Sequence, residues 1–352
     1  MVTFLKEGLS FVESYLIGLS GGADSAYAAS LLKKRGHAVE GVYLKMYKEA
    51  DPTPALKAAE ELGIPLHVVD CEEEFEKRVL CHFVDCYKMG RTPNPCVECN
   101  RYVKIKILCD IAREKGFSRV VTGHYASVAK TEDGRYCICR AENEKKDQSY
   151  VLWGLTQEQL SMLYLPLSAE EKEELRQALE REGVSASSAK DSMDICFLPE
   201  GNYAAFVEER GGACPPGAFI DSEGRVLGKH KGILHYTVGQ RKHLGIALGQ
   251  PMFVSAIDPE KNTVTLVPSG GEYGHTARIK DLQFQSLAPV SEGTVEGLTV
   301  KLRYGQKPMA VRVELAEGEA TLHFEEPVRA VTPGQSAVFY DGERLAFGGY
   351  LV

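Results

Sequence analysis

Hydrophobic residues in the first part of the chain fall in short solid blocks: Tyr15–Leu19, Ala38–Leu44, Leu66–Asp70 and Val120–Tyr125. Between them, apolar positions recur every three or four residues, the spacing of one helix face. An Ala-rich helix is expected from about Ala23–Ser25 through Leu32. A second covers Ala55–Leu62 after the breaker cluster Asp51–Pro54 and closes at Gly63. An acidic helix runs from Glu72 towards Tyr87, with Phe75, Val79, Phe83 and Val84 on its apolar side, and another spans Lys104–Lys115 and ends at Gly116. Strand blocks alternating with helical stretches predict an α/β fold with a doubly wound parallel sheet, in which ligands bind at the carboxyl ends of the strands. Ser20–Ser25, Leu44–Tyr47 and Gly123–Tyr125 would share that edge.

The rhythm then changes. From Gln157 to about Arg181 the chain reads as helical and acidic, with Ser168 and Glu171 spaced as a capping box. Past Tyr203 the periods shorten to alternating strands, and Gly211-Gly212 with Cys214-Pro215-Pro216-Gly217 mark a linker or surface turn. From about Ala277, short strands at Thr299–Tyr304, Ala310–Leu315, Ala320–Phe324, Ser336–Tyr340 and Leu345–Leu351 predict a small β-barrel or sandwich. The expected organisation is a catalytic domain over 1–203, a central β-rich domain over 204–276 and a C-terminal β-barrel over 277–352.

At 352 residues the chain exceeds what one ordinary core serves, in keeping with two or three domains. No apolar run approaches the roughly 20 residues of a membrane helix, and the N-terminus lacks the pattern of a secretory signal, so a cytoplasmic protein without membrane attachment is expected. In that reducing compartment the ten cysteines point to metal or redox chemistry rather than structural disulfides. A net charge of −8 argues against a generally basic nucleic-acid binder but leaves room for a local basic face.

Three stretches carry chemistry. Ser20-Gly21-Gly22-Ala23-Asp24-Ser25, between a strand and a helix, offers glycines for close approach and unpaired N–H groups at a helix start, a candidate phosphate cradle. The plain alternative is a glycine turn with Asp24 or Ser25 as the cap. A Walker A loop is excluded, since its spacing and lysine are absent. Thr92-Pro93-Asn94-Pro95-Cys96-Val97-Glu98-Cys99-Asn100 places a C-x-x-C on a proline-stiffened loop ahead of a helix, whose end can lower a thiol pKa. Half of a zinc site, an iron–sulfur ligand pair and a redox dithiol compete for it. A complete zinc ribbon is not available, because Cys137-Ile138-Cys139 has the wrong spacing. Cys196, in Asp191–Phe197, taken alone reads as an inert thiol beside Ile195 and Phe197. The basic stretch Lys229-His230-Lys231, with His235, Arg241, Lys242 and His243, reads as a solvated charged loop or a local RNA grip.

The SGGxDS turn resembles the PP-loop of N-type ATP pyrophosphatases. In combination with PNPxxxCN, Thr122–Tyr125, Lys146-Asp147-Gln148-Ser149-Tyr150, Ile195-Cys196-Phe197, Thr237–Gly245, Arg303-Tyr304 and Thr332–Val338, the chain resembles the tRNA-specific 2-thiouridylases from about Leu16 to Tyr350. The resemblance implies an ATP-dependent tRNA-uridine 2-sulfurtransferase. ATP, with Mg²⁺, adenylates O2 of the wobble uridine of the tRNA anticodon stem-loop, and a sulfur nucleophile then displaces AMP. It assigns Gly18, Leu19, Ser20, Gly21, Gly22, Ala23, Asp24, Ser25, Leu44 and Gly123 to ATP, with Asp24 a candidate for positioning Mg²⁺ on the triphosphate. Asn94, Pro95 and Cys96 fall to the target base, and His124, Lys146, Asp147, Gln148, Arg303, Tyr304 and Gln335 to tRNA. Arg241 and Lys242 join them as the basic grip. Cys196 matches the persulfide carrier and Cys99 the first catalytic cysteine, whose attack on the persulfide releases sulfide and leaves a disulfide. The implied partner is a sulfur donor: a cysteine desulfurase, a sulfur-relay protein or free sulfide.

One position departs from the family. Cys96 stands where many members carry aspartate, which removes a candidate acid or base and adds a third thiol. Cys96, Cys99 and Cys196 together match the ligand count for three irons of a [4Fe–4S] cluster. The loop Met46–Pro54 is also shorter than the family leads one to expect. Two other function classes remain open at this stage. A small-molecule N-type ATP pyrophosphatase explains the loop alone, and a non-catalytic RNA-binding or iron–sulfur protein explains the cysteines and basic stretch alone.

Overall fold

The computed structural model describes residues 13–189, 195–198 and 202–352. The N-terminal twelve residues and Asp191–Asp194 of the Cys196 motif lie outside that set. The chain opens with β1 (Ser14–Gly18), α1 (Ala23–Lys34), β2 (Ala38–Lys45), α2 (Thr53–Leu62) and β3 (Leu66–Asp70). Tyr15, Leu16 and Ile17 are all buried, as a central strand covered on both faces requires. Alanines 23, 26, 28 and 29 let α1 lie close on the sheet. α2 stops at Gly63, whose left-handed backbone closes the last turn as its position after the apolar pattern predicts.

The acidic helix is α3 (Glu72–Phe75) and α4 (Cys81–Lys88), joined by a π-helical turn, Glu76–Leu80. α5 (Pro95–Glu98) continues through a second π turn, Cys99–Lys104, into α6 (Ile105–Lys115). This corrects an expectation: the helix starts at Pro95 rather than Lys104, so the C-x-x-C lies within it and not on a loop ahead of it. Pro95 occupies the first helical position, where no N–H is needed, and the Asn94 side chain accepts the Cys96 N–H as the cap.

β4 (Arg119–Val121) opens into a loop over 122–125. A hairpin follows, β5 (Ser127–Lys130) and β6 (Tyr136–Cys139), and then α7 (Gln157–Met162), β7 (Leu163–Tyr164) and α8 (Lys172–Arg181). The capping box forms at Thr156 and Gln159 on α7; α8 starts after Glu171 without a side-chain cap, so Ser168 does not play the expected part. The parallel sheet runs β3-β2-β1-β4-β7. Strand order reverses beside β1, so the turns after β1 and β4 flank the crevice where open α/β sheets bind ligands.

The stretch after Tyr203 begins not with strands but with α9 (Tyr203–Gly211). β8 (Gly217–Ile220), β9 (Val226–His230), β10 (Met252–Asp258) and β11 (Thr263–Pro268) then form a four-stranded sheet. β12 (Tyr273–Phe284), β13 (Gly293–Lys301), β14 (Met309–Ala316), β15 (Glu319–Arg329), β16 (Ser336–Asp341) and β17 (Arg344–Leu351) make an antiparallel sheet that closes through β12–β17 pairing into a barrel. β13 stops at Lys301, short of the expected Tyr304, so Arg303 and Tyr304 sit on a turn. The β5–β6 hairpin joins this barrel sheet at Cys139 opposite Arg344. Among the described residues no helix is long and apolar enough to cross a membrane.

Candidate active site

The turn after β1 leaves backbone amides open at a helix start. Gly21 has φ +84°, and a Cβ there would come within 2.7 Å of Pro54; Gly22 is the N-cap of α1 and contributes no side-chain cap. Neither Asp24 nor Ser25 caps the helix. Ser25 instead donates its hydroxyl to the Gly22 carbonyl and accepts the Ser20 N–H, which folds the turn on itself and leaves helix-start amides without side-chain partners. A Cβ on Gly123 would fall 2.9 Å from the Ser25 nitrogen, so only glycine lets the β4 loop lie against this turn. Asp24 sits in the first turn, where Tyr125 donates to it at 2.8 Å and Lys172 pairs with it at 3.2 Å. Tyr125 and Lys172 were missed as site residues in the sequence: Lys172 comes from the acidic stretch nearly 150 positions away, with no local signal.

The second part of the site assembles the cysteines. Cys99 is buried among Phe75, Val79, Leu80 and Val103, with its sulfur 3.8 Å from that of Met46 at the end of β2. Leu44 packs into the same cluster. Cys196 and Cys96 are exposed. Phe197 anchors Cys196 by packing edge-on against Phe75 and Phe83, at 5.9 and 5.3 Å between ring centres. Cys96, Cys99 and Cys196 lie within electrostatic reach of one another, and Tyr47 lies near Cys196.

Burial pushes the Cys99 thiol up to about 12, and partial desolvation by the surrounding protein raises those of Cys96 and Cys196 although both reach solvent, while the Lys104 charge pulls all three the other way and loses. The expected lowering by the helix end is therefore corrected: desolvation outweighs it, and the resting thiols are protonated. Lys104, one π turn beyond Cys99, is a third residue that sequence reasoning missed. The same burial holds His124 neutral, its pKa down at about 3, with Nδ1 2.8 Å from the Thr122 hydroxyl. All ten cysteines are free thiols. Among the described residues no three His, Cys, Asp or Glu side chains are arranged to hold a metal ion, so the three cysteines as placed do not fit a [4Fe–4S] cluster.

The remaining motif residues tie the parts together. Gln148 accepts the Tyr125 N–H on its side chain and donates its own N–H to the Tyr125 carbonyl. Asp147 is buried, accepting from Ala141, from the Ser149 N–H and from the Ser149 hydroxyl, with Lys301 of the barrel at 3.4 Å. Lys146, on the turn before it, is half-buried. Gln335 donates to the Thr92 carbonyl at 2.9 Å, and the Thr92 N–H donates to the Pro333 carbonyl at 2.8 Å, so the barrel holds the loop that carries Asn94, Pro95 and Cys96. Arg303 donates to the Ala330 carbonyl and the Thr332 hydroxyl and lies beside Gly239 of the Thr237–Gly245 turn. Tyr304 is 45% exposed and lies near Cys96. Arg241 and Lys242 are exposed on that same middle turn.

A glycine turn at the switch point of a parallel sheet, followed by a closed barrel, is the architecture of a PP-loop protein with appended β modules. Three family models match in succession, described as a tRNA methyl transferase HUP domain over residues 13–200, a tRNA methyl transferase PRC-barrel domain over 204–268 and an aminomethyltransferase β-barrel domain over 275–351. The tRNA-specific 2-thiouridylase MnmA of Acetivibrio thermocellus is 39% identical over 354 residues, 96% of this chain and 98% of that protein. Those of Clostridium perfringens and Clostridioides difficile are 39% and 38% identical, each across 96% of this chain and 97% of the relative. The chain belongs to the tRNA-specific 2-thiouridylase family.

Proposed function

We propose that this protein is an ATP-dependent tRNA-uridine 2-sulfurtransferase acting on the wobble uridine in the cytoplasm. The observation that carries the reading is the convergence on one sheet edge of the β1 phosphate turn, the Thr92–Cys99 segment and Cys196. The edge is marked by the Cys99–Met46 contact and by the Lys104 charge reaching His124. A uracil C2 carbonyl has a poor leaving group, so two chemistries must meet at one base. ATP, held by Ser20–Ser25 and Gly123 with Leu44 beside the adenosine, activates O2 by transfer of AMP, releasing pyrophosphate. The residues fit a triphosphate because the helix-start amides carry no side-chain cap; Asp24, held by Tyr125 and Lys172, would orient Mg²⁺ on it.

Sulfur then attacks C2 and AMP leaves. In the persulfide scheme, Cys196 carries the terminal sulfur and the Cys99 thiolate attacks the Cys196 sulfur. The S–S bond of the persulfide breaks, hydrosulfide departs towards C2, and a Cys99–Cys196 disulfide remains for an external thiol to reduce. Exposure of Cys196 suits loading by a donor such as a desulfurase or relay protein, and burial of Cys99 suits a thiol used only once the base excludes water. The description of the matching family models names methyl transfer. A methyl transferase needs neither a triphosphate turn nor paired thiols, so these features favour thiolation. Incubation with unmodified tRNA, ATP and sulfide tests the reading. Pyrophosphate release that depends on tRNA supports it, and release that ignores tRNA assigns the turn to a small-molecule substrate.

A further inference from the structure

A groove lined by described residues lies off the phosphate turn. Of about 440 Å³, it is walled by α3–α4, the α5 segment and the barrel, and no residue of Ser20–Ser25 lines it. Five cations face it, Lys77, Arg78, Arg91, Arg101 and Lys280, against two carboxylates. One of those, Glu98, is engaged by the Tyr350 hydroxyl. Arg78 pairs with Glu74 at 3.0 Å; among the described residues the other four cations form no ion pair. In a chain of net charge −8, unpaired cations gathered around one void mark a surface for an anion.

We infer that this groove binds backbone phosphates of the tRNA beside the target base, an inference that rests on tRNA being the substrate. Three features favour a polyanion over a single phosphate. The positive charge is spread over elements from the α/β layer and the barrel, more than one phosphate neutralises. Arg91 and Arg101 bracket the Thr92–Cys99 segment in sequence, and Gly334 of the groove precedes Gln335, which holds Thr92. The Tyr102 ring is flanked by the Arg78 and Arg101 guanidiniums at 5.3 and 4.9 Å, a cationic and aromatic surface of the kind that tracks a nucleic-acid strand.

The test is the double variant Lys77→Gln/Lys280→Gln, since both residues are remote from the motifs. Binding of unmodified tRNA is measured across a salt series, with thermal melting to verify folding. Affinity should fall about tenfold at moderate salt, and the slope of log K against log salt should drop by about 1.5, the loss of two phosphate contacts. Unchanged affinity and slope overturn the inference. So does a variant that binds tRNA normally but no longer binds inorganic phosphate or pyrophosphate, which assigns the groove to a free anion. Normal tRNA binding with slowed sulfur delivery from a desulfurase, and full activity with free sulfide, assigns it to an acidic protein. If the wild-type protein neither binds nor thiolates tRNA, the functional reading itself fails.

Discussion

The two halves of the site are made in opposite ways. The phosphate turn is mostly local: Ser20–Ser25 runs from just past β1 into the first turn of α1, with Ser20, Gly22 and Ser25 bonded to one another, and Pro54 and Gly123 close against it. The sulfur half is tertiary. Cys99 comes from α5, Cys196 from a segment some hundred residues on, Met46 from the end of β2, and the loop of Asn94–Cys96 is held by Gln335 from the barrel. The turn therefore takes its shape mainly from its own strand and helix, with the β4 loop closing on it at Gly123. The thiols depend on the whole molecule, and burial keeps Cys99 protonated at rest. Activation of oxygen can be ready in advance, whereas reactive sulfur is better withheld.

The largest effect should separate the halves outright. Cys99→Ser and Cys196→Ser should each lower 2-thiouridine formation by on the order of 10³-fold while sparing tRNA-dependent pyrophosphate release. Full thiolation in either variant breaks the two-thiol scheme. Gly123→Val should do the reverse: its side chain drives into the first turn of α1, and ATP affinity should fall about 100-fold, with thiol reactivity unchanged. Equal ATP binding would show that the β4 loop does not shape the turn.

Alkylation sharpens the contrast in pH. Iodoacetamide reacts with thiolate, so a raised pKa means slow reaction at neutral pH and a rate that climbs about tenfold per pH unit until the pKa is passed. Cys196 and Cys96 should label before Cys99 by about tenfold or more, and the Cys99 rate should still be rising above pH 9, towards about 12, where an ordinary thiol has levelled off. Peptide mapping that finds Cys99 labelled first contradicts its placement. Gln335→Ala removes one neutral hydrogen bond, about 1 kcal/mol, and should raise the KM for tRNA about fivefold with little change in kcat.

The same division governs what the sequence reveals. The strand-turn-helix units, the Gly63 stop and the barrel strands are legible because each follows from spacing or a backbone preference within a few residues. The start of the cysteine helix at Pro95 was hidden by two prolines that read as loop, although Asn94 and Pro95 are a cap and a first helical residue. Thiol acidity was misjudged because a helix end is visible in sequence while the aromatic wall of Phe75 and Phe197 is not. Asp147 stands out as a motif residue, yet only the fold shows it buried against Lys301, where it fastens the α/β layer to the barrel. Lys104 and Lys172 carry no motif that marks them.

Nucleoside mass spectrometry of unmodified tRNA after incubation with ATP and a sulfide source, against a control without ATP, tests the central claim most directly. The account predicts 2-thiouridine at the wobble position only when ATP is present, in iron-free protein as well. Unmodified uridine at that position, with ATP bound and tRNA intact, would contradict it.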